Sequence, residues 1–296
     1  MRIAVTGKTG QVVTSLIERG GAAGHEVVAL GRPELDLADP ASVLRALEAA
    51  APNVIVSAAA YTAVDKAESE SDLAHAVNGA GAGAVARAAK ALGVPLVHIS
   101  TDYVFDGTLV RPYVESDPTG PTGVYGGSKL AGEQAALATY PENSAVLRVA
   151  WVYSPFGGNF VRTMLRLASD RDEVSVVADQ FGNPTSALDI ADGILRVATN
   201  MVANSHPALR GVFHMTAKGE ASWADFAEAI FAASAARGGP TAQVKRITTT
   251  DYPTAAKRPA NSRLDCGLIA KVHGVALPDW HQSLDRVIAR LHSAAA

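Results

Sequence analysis

The sequence predicts an α/β fold: a doubly wound parallel sheet with helices on both faces, followed by a smaller, less regular α/β region that closes over it as a lid. Three observations carry this. Short apolar β-branched runs alternate with helical spacings five times before residue 153. The first strand runs into the first helix through a glycine-rich turn, Gly7-Lys8-Thr9-Gly10. Beyond residue 153 the rhythm loosens while the apolar content stays high. Parallel strands joined by right-handed crossovers put ligands beyond the C-terminal strand ends.

In chain order, Arg2 to Thr6 is a strand and Val12, Val13, Leu16 and Ile17 continue as a helix. Between them lies a phosphate cradle, Gly7, Thr9, Gly10, Gln11 and Val12. A helix N-terminus there offers free N–H groups and the positive end of its dipole. The spacing is G-x-x-G-x-x-V, with Val13 where a third glycine would bring helix and strand close, so the helix is expected slightly further out. His25 to Leu30 is the second strand, ending in Gly31-Arg32. A guanidinium suits a 2′-phosphate better than a pair of hydroxyls, so Arg32 points to NADPH. Glu34 is the residue that would serve the ribose of NADH.

Asp36-Leu37 precedes Asp39-Pro40, an N-cap with proline at the first helical position, and a helix to about Ala50. Asn53 to Ser57 is a buried strand, and the small residues Ala58 to Ala60 would let a cofactor lie over its end. One alanine-rich helix is expected from Glu70 to Leu92, its Gly79, Gly81 and Gly83 marking close packing against a ligand or a neighbouring helix. Pro95 to Ser100 is a strand with Thr101-Asp102 at its C-terminal end. Tyr125 and Lys129 open the next helix and, four apart, share one face. Ala145 to Tyr153 is read as one strand with Trp151 near its end, either core or ligand contact.

The second half holds a helix from Asn159 to Leu167, a strand from Val174 to Val177, and a polar turn from Asp179 to Thr185. Leu188 to Ala198 and Gly211 to Met215 are a helix and a strand that return to the sheet. Ser222 caps a helix, Gln243 to Ile247 is a strand, and Trp280 to Leu291 is a final helix. The loop before it carries Lys257, Arg258 and Arg263, which either bind a diphosphate or are simply solvated. The domain division is therefore residues 1–153, with 186–215 returning, against 154–185 and 216–296.

Composition narrows the function. Hydrophobic residues make up 48% of the 296 and charged residues 19%, enough for a large core and too apolar for disorder. The net charge of -3, with no basic stripe, argues against nucleic acid polymers. Cys266 is the only cysteine, which excludes an internal disulfide and a multi-thiolate metal site. The chain opens directly on Ile3-Ala4-Val5 with no long apolar span, so a cytoplasmic protein with no membrane association is expected. His75, His98 and His214 are isolated and read as structural.

Four loops converge on one sheet edge, and with them Thr101, Tyr125 and Lys129. A dinucleotide in this Rossmann-like site would deliver hydride to a carbonyl carbon and Tyr125 a proton to its oxygen. Lys129 would draw the phenol toward ionisation and Thr101 would hydrogen-bond the developing alkoxide.

These parts resemble the extended short-chain dehydrogenase/reductases, and within them the dTDP-4-dehydrorhamnose reductase family. The resemblance rests on Val5 to Gln11, Ala58 to Glu68, Ser100 to Gly107, Val124-Tyr125-Gly126 with Ser128 to Glu133, and Trp151 to Tyr153. Asp179-Gln180, Gly182, Pro184-Thr185, Arg258-Pro259 and Asn261 to Leu264 complete it. It implies reduction of the C4 ketone of dTDP-4-dehydro-6-deoxy-L-mannose to dTDP-L-rhamnose with NADPH or NADH. It also implies Tyr125 as proton donor, Lys129 on the nicotinamide ribose and Thr101 assisting. Asp36 and Leu37 would flank the adenine, and Ala59, Ala60, Tyr61 and Thr62 the nicotinamide side. Thr101, Asp102, Tyr103, Trp151, Asn159, Arg258 and Asn261 would contact the dTDP-sugar. Some members are thought to dimerise around a metal held by the first helix. Val13-Thr14-Ser15 has no carboxylate, so no metal is expected, and the chain is expected to be a monomer or homodimer. The rivals are a same-fold epimerase, a same-fold dehydratase, whose second acid is absent because Tyr103 follows Asp102, and a non-catalytic NADP-binding regulatory subunit.

Overall fold

The computed structural model describes residues 1–295. β1 (Arg2–Thr6) leads through the glycine turn into α1 (Gln11–Ala22), and β2 (Glu26–Leu30) into α2 (Pro40–Ala50). Asp39 caps α2 by accepting from the Ala41 N–H, with Pro40 behind it. β3 (Val54–Ser57) is followed by the short α3 (Val64–Ala67) and by α4 (Ser71–His75). The helix expected as one piece from Glu70 to Leu92 has a wide π turn, Ala76–Gly81, between α4 and α5 (Ala82–Leu92). The turn carries Asn78, whose amide reaches out of the helix to the loop after β3. Gly79 and Gly83 face Ala131 and Ala135 of a neighbouring helix, and Gly81 faces Leu37, so packing is what these glycines serve.

β4 (Leu96–Thr101) precedes the helix that opens on Tyr125, α6 (Val124–Thr139), then β5 (Ser144–Val149). Among the described residues, one six-stranded sheet runs β2-β1-β3-β4-β5 and then β10 (Gly211–His214), every neighbouring pair parallel. The order reverses between β1 and β3, so the crevice of such a sheet opens beside the glycine turn. One face packs α1 and α8 (Ala187–Ala203), with Leu16, Ile190 and Ile194 fully buried. The other packs α2, α5 and Ala136 of α6, with Val43, Leu47 and Val85 fully buried. Val13 lies in the first of these cores, its methyl filling the space over Gly7 that a glycine would leave.

The strand expected from Ala145 to Tyr153 is broken. β5 stops at Val149, Trp151 takes a left-handed backbone (φ 48°), and β6 (Val152–Tyr153) pairs with β9 (Thr185–Ser186) outside the main sheet. A non-glycine residue in that conformation costs roughly 1–3 kcal/mol and persists only where its surroundings hold it.

The second half builds a core of its own. α7 (Phe160–Ala168) and β7 (Glu173–Val177) pack with α9 (Trp223–Ala235) and α11 (Trp280–Ala295) around Val161, Val174, Phe226, Ile230 and Leu284. β12 (Gln243–Ile247) pairs parallel with β7. The two-residue β8 (Phe181–Gly182) pairs antiparallel with β11 (Ala221–Ser222). Ile269 of α10 (Gly267–His273), with Val275 and Leu277, packs instead against the sheet, so this stretch leans on the core it was expected to cover.

Candidate active site

A cleft of about 1330 Å³ runs along the C-terminal ends of the sheet strands. Gly7, Thr9, Gly10, Gln11 and Val12 line one end, with Gly31, Arg32, Asp36 and Leu37. Ala59, Ala60, Tyr61 and Thr62 line its middle, and Thr101, Asp102, Tyr103, Tyr125, Lys129 and Trp151 the rest.

The glycine turn fits a dinucleotide phosphate. Gly7 has φ +103°, and Gly10 caps α1 with no side chain occupying the helix end. Thr6 locks the neighbouring loop, its Oγ1 accepting from the Ala58 and Ala59 N–H groups at 3.0 Å each. At the end lined by Gly31 and Arg32, Lys8 lies beside Gly31 and donates to the Arg32 carbonyl (3.0 Å) and to Glu34 (2.6 Å). Asn78 positions the middle loop. Its Oδ1 accepts from the Tyr61 N–H (2.7 Å), and its Nδ2 donates to the Tyr61 carbonyl and to Ser128 Oγ, both at 3.0 Å.

At the reactive end Thr101 donates to Asp102 Oδ1 at 2.9 Å. Asp102 Oδ2 is buried and has no hydrogen-bond partner. The rings of Tyr103 and Tyr125 meet edge to face, centroids 5.5 Å apart. Gly126, next to Tyr125, lets α6 touch the Tyr103 carbonyl, since a Cβ there would stand 2.2 Å from that oxygen. Lys129 is buried and donates to the Ile99 carbonyl at 2.7 Å.

Burial dominates the titrations. It lowers Lys129 to about 8, against the charge of Glu133 one turn further on. It raises Asp102 to about 6, with the Ser262 and Thr101 hydroxyls acting the other way. It also raises Tyr125, seconded by the charge of Asp102, while the Thr101 hydroxyl pulls it back. The phenol is raised by burial and by Asp102, opposite to the direction expected from a neighbouring cation, and Lys129 is not among the groups that move it. His98 and His214 are buried and held neutral, the latter lowered to about 4 by burial and by Arg148.

Three residues expected to contact the sugar have their polar groups engaged within the protein. Asn159 caps α7, accepting from Arg162 N–H and donating to the Ser154 and Phe156 carbonyls. Asn261 donates to the carbonyls of Leu109 and Arg111. Arg258 pairs with Asp65 of α3 at 2.7 Å. None of the three lines the cleft, because their polar groups hold its loops together. Phe160, Trp223 and Gly158, which do line it, were missed, as was Asn78 behind the wall. Only Asn78 left a trace in the sequence, a lone amide in an alanine- and glycine-rich helix. Among the described residues no three His, Cys, Asp or Glu side chains gather to hold a metal ion, and no helix is long and apolar enough to cross a membrane.

Residues 1–293 match the family described as the RmlD substrate binding domain. A dTDP-4-dehydrorhamnose reductase from Sinorhizobium fredii is 50% identical over 97% of this chain and 97% of its own length. The chain belongs to the dTDP-4-dehydrorhamnose reductase family. The Escherichia coli K12 reductase of that name is 40% identical, with both chains fully covered. Among solved structures, the family member from Clostridium acetobutylicum superposes with a TM-score of 0.91 at 37% identity, covering 98% of this chain and 99% of its own. That from Bacillus anthracis, in complex with NADP, gives 0.89 at 34%, with the same coverage. A UDP-glucose 4-epimerase from Thermus thermophilus, complete in both chains at TM-score 0.80 and 20% identity, shares the fold.

Proposed function

We propose that the chain reduces the C4 ketone of dTDP-4-dehydrorhamnose to give dTDP-L-rhamnose, with NADPH as the preferred reductant. The observation that carries the reading is Tyr125 beside Thr101 in the same cleft as an open glycine cradle, the phenol held in its protonated form by desolvation. The family of relatives bearing that activity supplies the substrate. The nicotinamide supplies hydride to C4 when bound. Tyr125 gives its proton to the ketone oxygen, so ketone, hydride and proton balance to an alcohol. Thr101, whose hydroxyl donates to Asp102 Oδ1 in the free site, would turn that one proton to the same oxygen when the ketone binds. Lys129, cationic below about 8, compensates the phenolate that forms, favouring transfer at the moment of need.

The NADPH preference rests on Lys8 and Arg32 beside Gly31, where a 2′-phosphate would lie and would replace the Glu34 carboxylate that Lys8 now pairs with. The Bacillus anthracis relative with NADP supports it. A higher kcat/KM with NADH than with NADPH overturns it. We take residues 1–153 with 186–215 as the cofactor half, and 154–185 with 216–296 as the half that shapes the sugar-nucleotide end.

The deciding experiment follows NADPH oxidation with the dTDP-hexulose and identifies the product. One NADPH consumed per dTDP-rhamnose is expected, which a redox-neutral epimerase or dehydratase does not show. Tyr125→Phe should lower kcat by roughly 10²–10⁴-fold; full turnover in that variant removes Tyr125 from the role.

A further inference from the structure

Trp151 is held on two sides by one small piece of the lid. Its indole stacks face to face on Trp223, centroids 3.6 Å apart and planes 6° apart. Its ring edge presses on Gly182, where a Cβ would stand 2.4 Å from Trp151 Cε2. Gly182 and the residues just before Trp223 belong to the same ladder, Ala221 opposite Gly182 and Ser222 opposite Phe181. The start of α9 is itself fixed, by the reciprocal Ser222–Asp225 cap and by Arg246 paired with Asp225 and Glu228. Phe160 backs Trp223 at 4.6 Å. Trp151 hangs from the end of β5, so the stack joins the sheet to the lid, and both indoles line the cleft that holds Thr101 and Tyr125.

We propose that Trp223 is a positioning residue for the sugar end of the cleft: with Gly182 it clamps the left-handed Trp151, so that the indole presents a fixed wall against which the hexulose ring is oriented toward Tyr125. Strained backbone needs such over-determination, and a reacting group displaced by about 1 Å loses on the order of 10² in rate. The inference rests on the cleft taking a hexulose there.

The test uses the full chain. Wild type should show the exciton-split indole band of a stacked pair in circular dichroism. Trp223→Leu should abolish that band and lower kcat/KM for the dTDP-hexulose by roughly 10–100-fold, chiefly through KM, with NADPH affinity by fluorescence titration within about twofold of wild type. Trp223→Phe, which keeps a ring in place, should recover most of the loss. Gly182→Ala, which pushes on Trp151 from its other side, should reproduce the KM effect with Trp223 intact. If Trp223→Leu does not fold, Gly182→Ala and Trp223→Phe carry the test: KM for the hexulose unchanged in Gly182→Ala overturns the clamp. Loss of the band in Trp223→Leu with unchanged hexulose kinetics, or NADPH affinity falling in step with them, likewise overturns it. A wild type that turns over no hexulose overturns the assigned reaction and this inference with it, whereas a wild type and Trp223→Leu that turn it over equally overturn this inference alone.

Discussion

Asp102 shows how the burial of one side chain ties stability to pH. Its carboxyl is fully buried, has one unpartnered oxygen and is raised from its ordinary value to about 6. The folded chain therefore holds a proton that the unfolded chain releases between about pH 4 and 6. Stability contributed by Asp102 is present below that window and is lost as pH rises through it. Asp102→Asn is expected to be more stable than wild type at pH 7, by on the order of 1–3 kcal/mol. That advantage should vanish near pH 4, as denaturant titrations at the two pH values will show. Lys129 moves the opposite way. With its pKa lowered to about 8, its charge is lost at a pH where a free lysine keeps it. The pH profile of kcat/KM should fall above about 8, and Lys129→Met should lose that limb along with most of the activity. Tyr125, Lys129 and Thr101 were legible because their types and spacing name a chemistry. The direction of the tyrosine shift was not, since spacing on a helix says nothing about how deeply both ends are buried.

Among elements, α6, which holds Tyr125 and Lys129, is anchored from behind by a buried ion pair. Arg148 of β5 meets Glu133, one turn past Lys129, at 2.7 Å with both side chains nearly inaccessible. Removing one partner leaves the other charge buried and alone. Glu133→Ala should cost about 3–5 kcal/mol, whereas a double change of Glu133 and Arg148 to apolar residues should recover much of it, measurable by urea unfolding. The sheet strands and most helices were legible from period and capping residues. The π turn at Ala76–Gly81 was not, because its residues fit a 3.6 period as well as the flanking helix does. The break at Trp151 was not either: Val149 to Tyr153 is an unbroken apolar run, and the turn is held by partners far along the chain, Gly182 and Trp223.

Across the whole molecule, the two halves are stitched at several points rather than hinged at one. Gln11 in the cradle accepts from Ser154 at 2.8 Å, and Arg290 of α11 pairs with Glu18 of α1 at 2.6 Å. Asp65 takes Arg258 and the Ala256 N–H from the loop before α10. That the polar groups of Arg258, Asn159 and Asn261 engage other loops was not legible, because a polar residue in a loop looks the same whether it faces a ligand or another loop. Cofactor binding to so connected a structure should stabilise all of it. NADPH at 100 times its Kd adds roughly 2.7 kcal/mol, and a rise in Tm of about 5 °C is expected by calorimetry.

The chain has three tryptophans, and all sit in or against the second half: Trp151 and Trp223 in their stack, Trp280 buried at the start of α11. The six-stranded sheet with its flanking helices contains none except the residue hanging from its edge. Intrinsic emission is therefore a built-in reporter of one half, while far-ultraviolet ellipticity is weighted to the other. Denaturation followed by the two signals becomes a direct reading of whether the molecule melts as a unit. Coincident curves mean the stitches hold to the end; an emission change that comes first means the sugar end opens while the nucleotide fold stands.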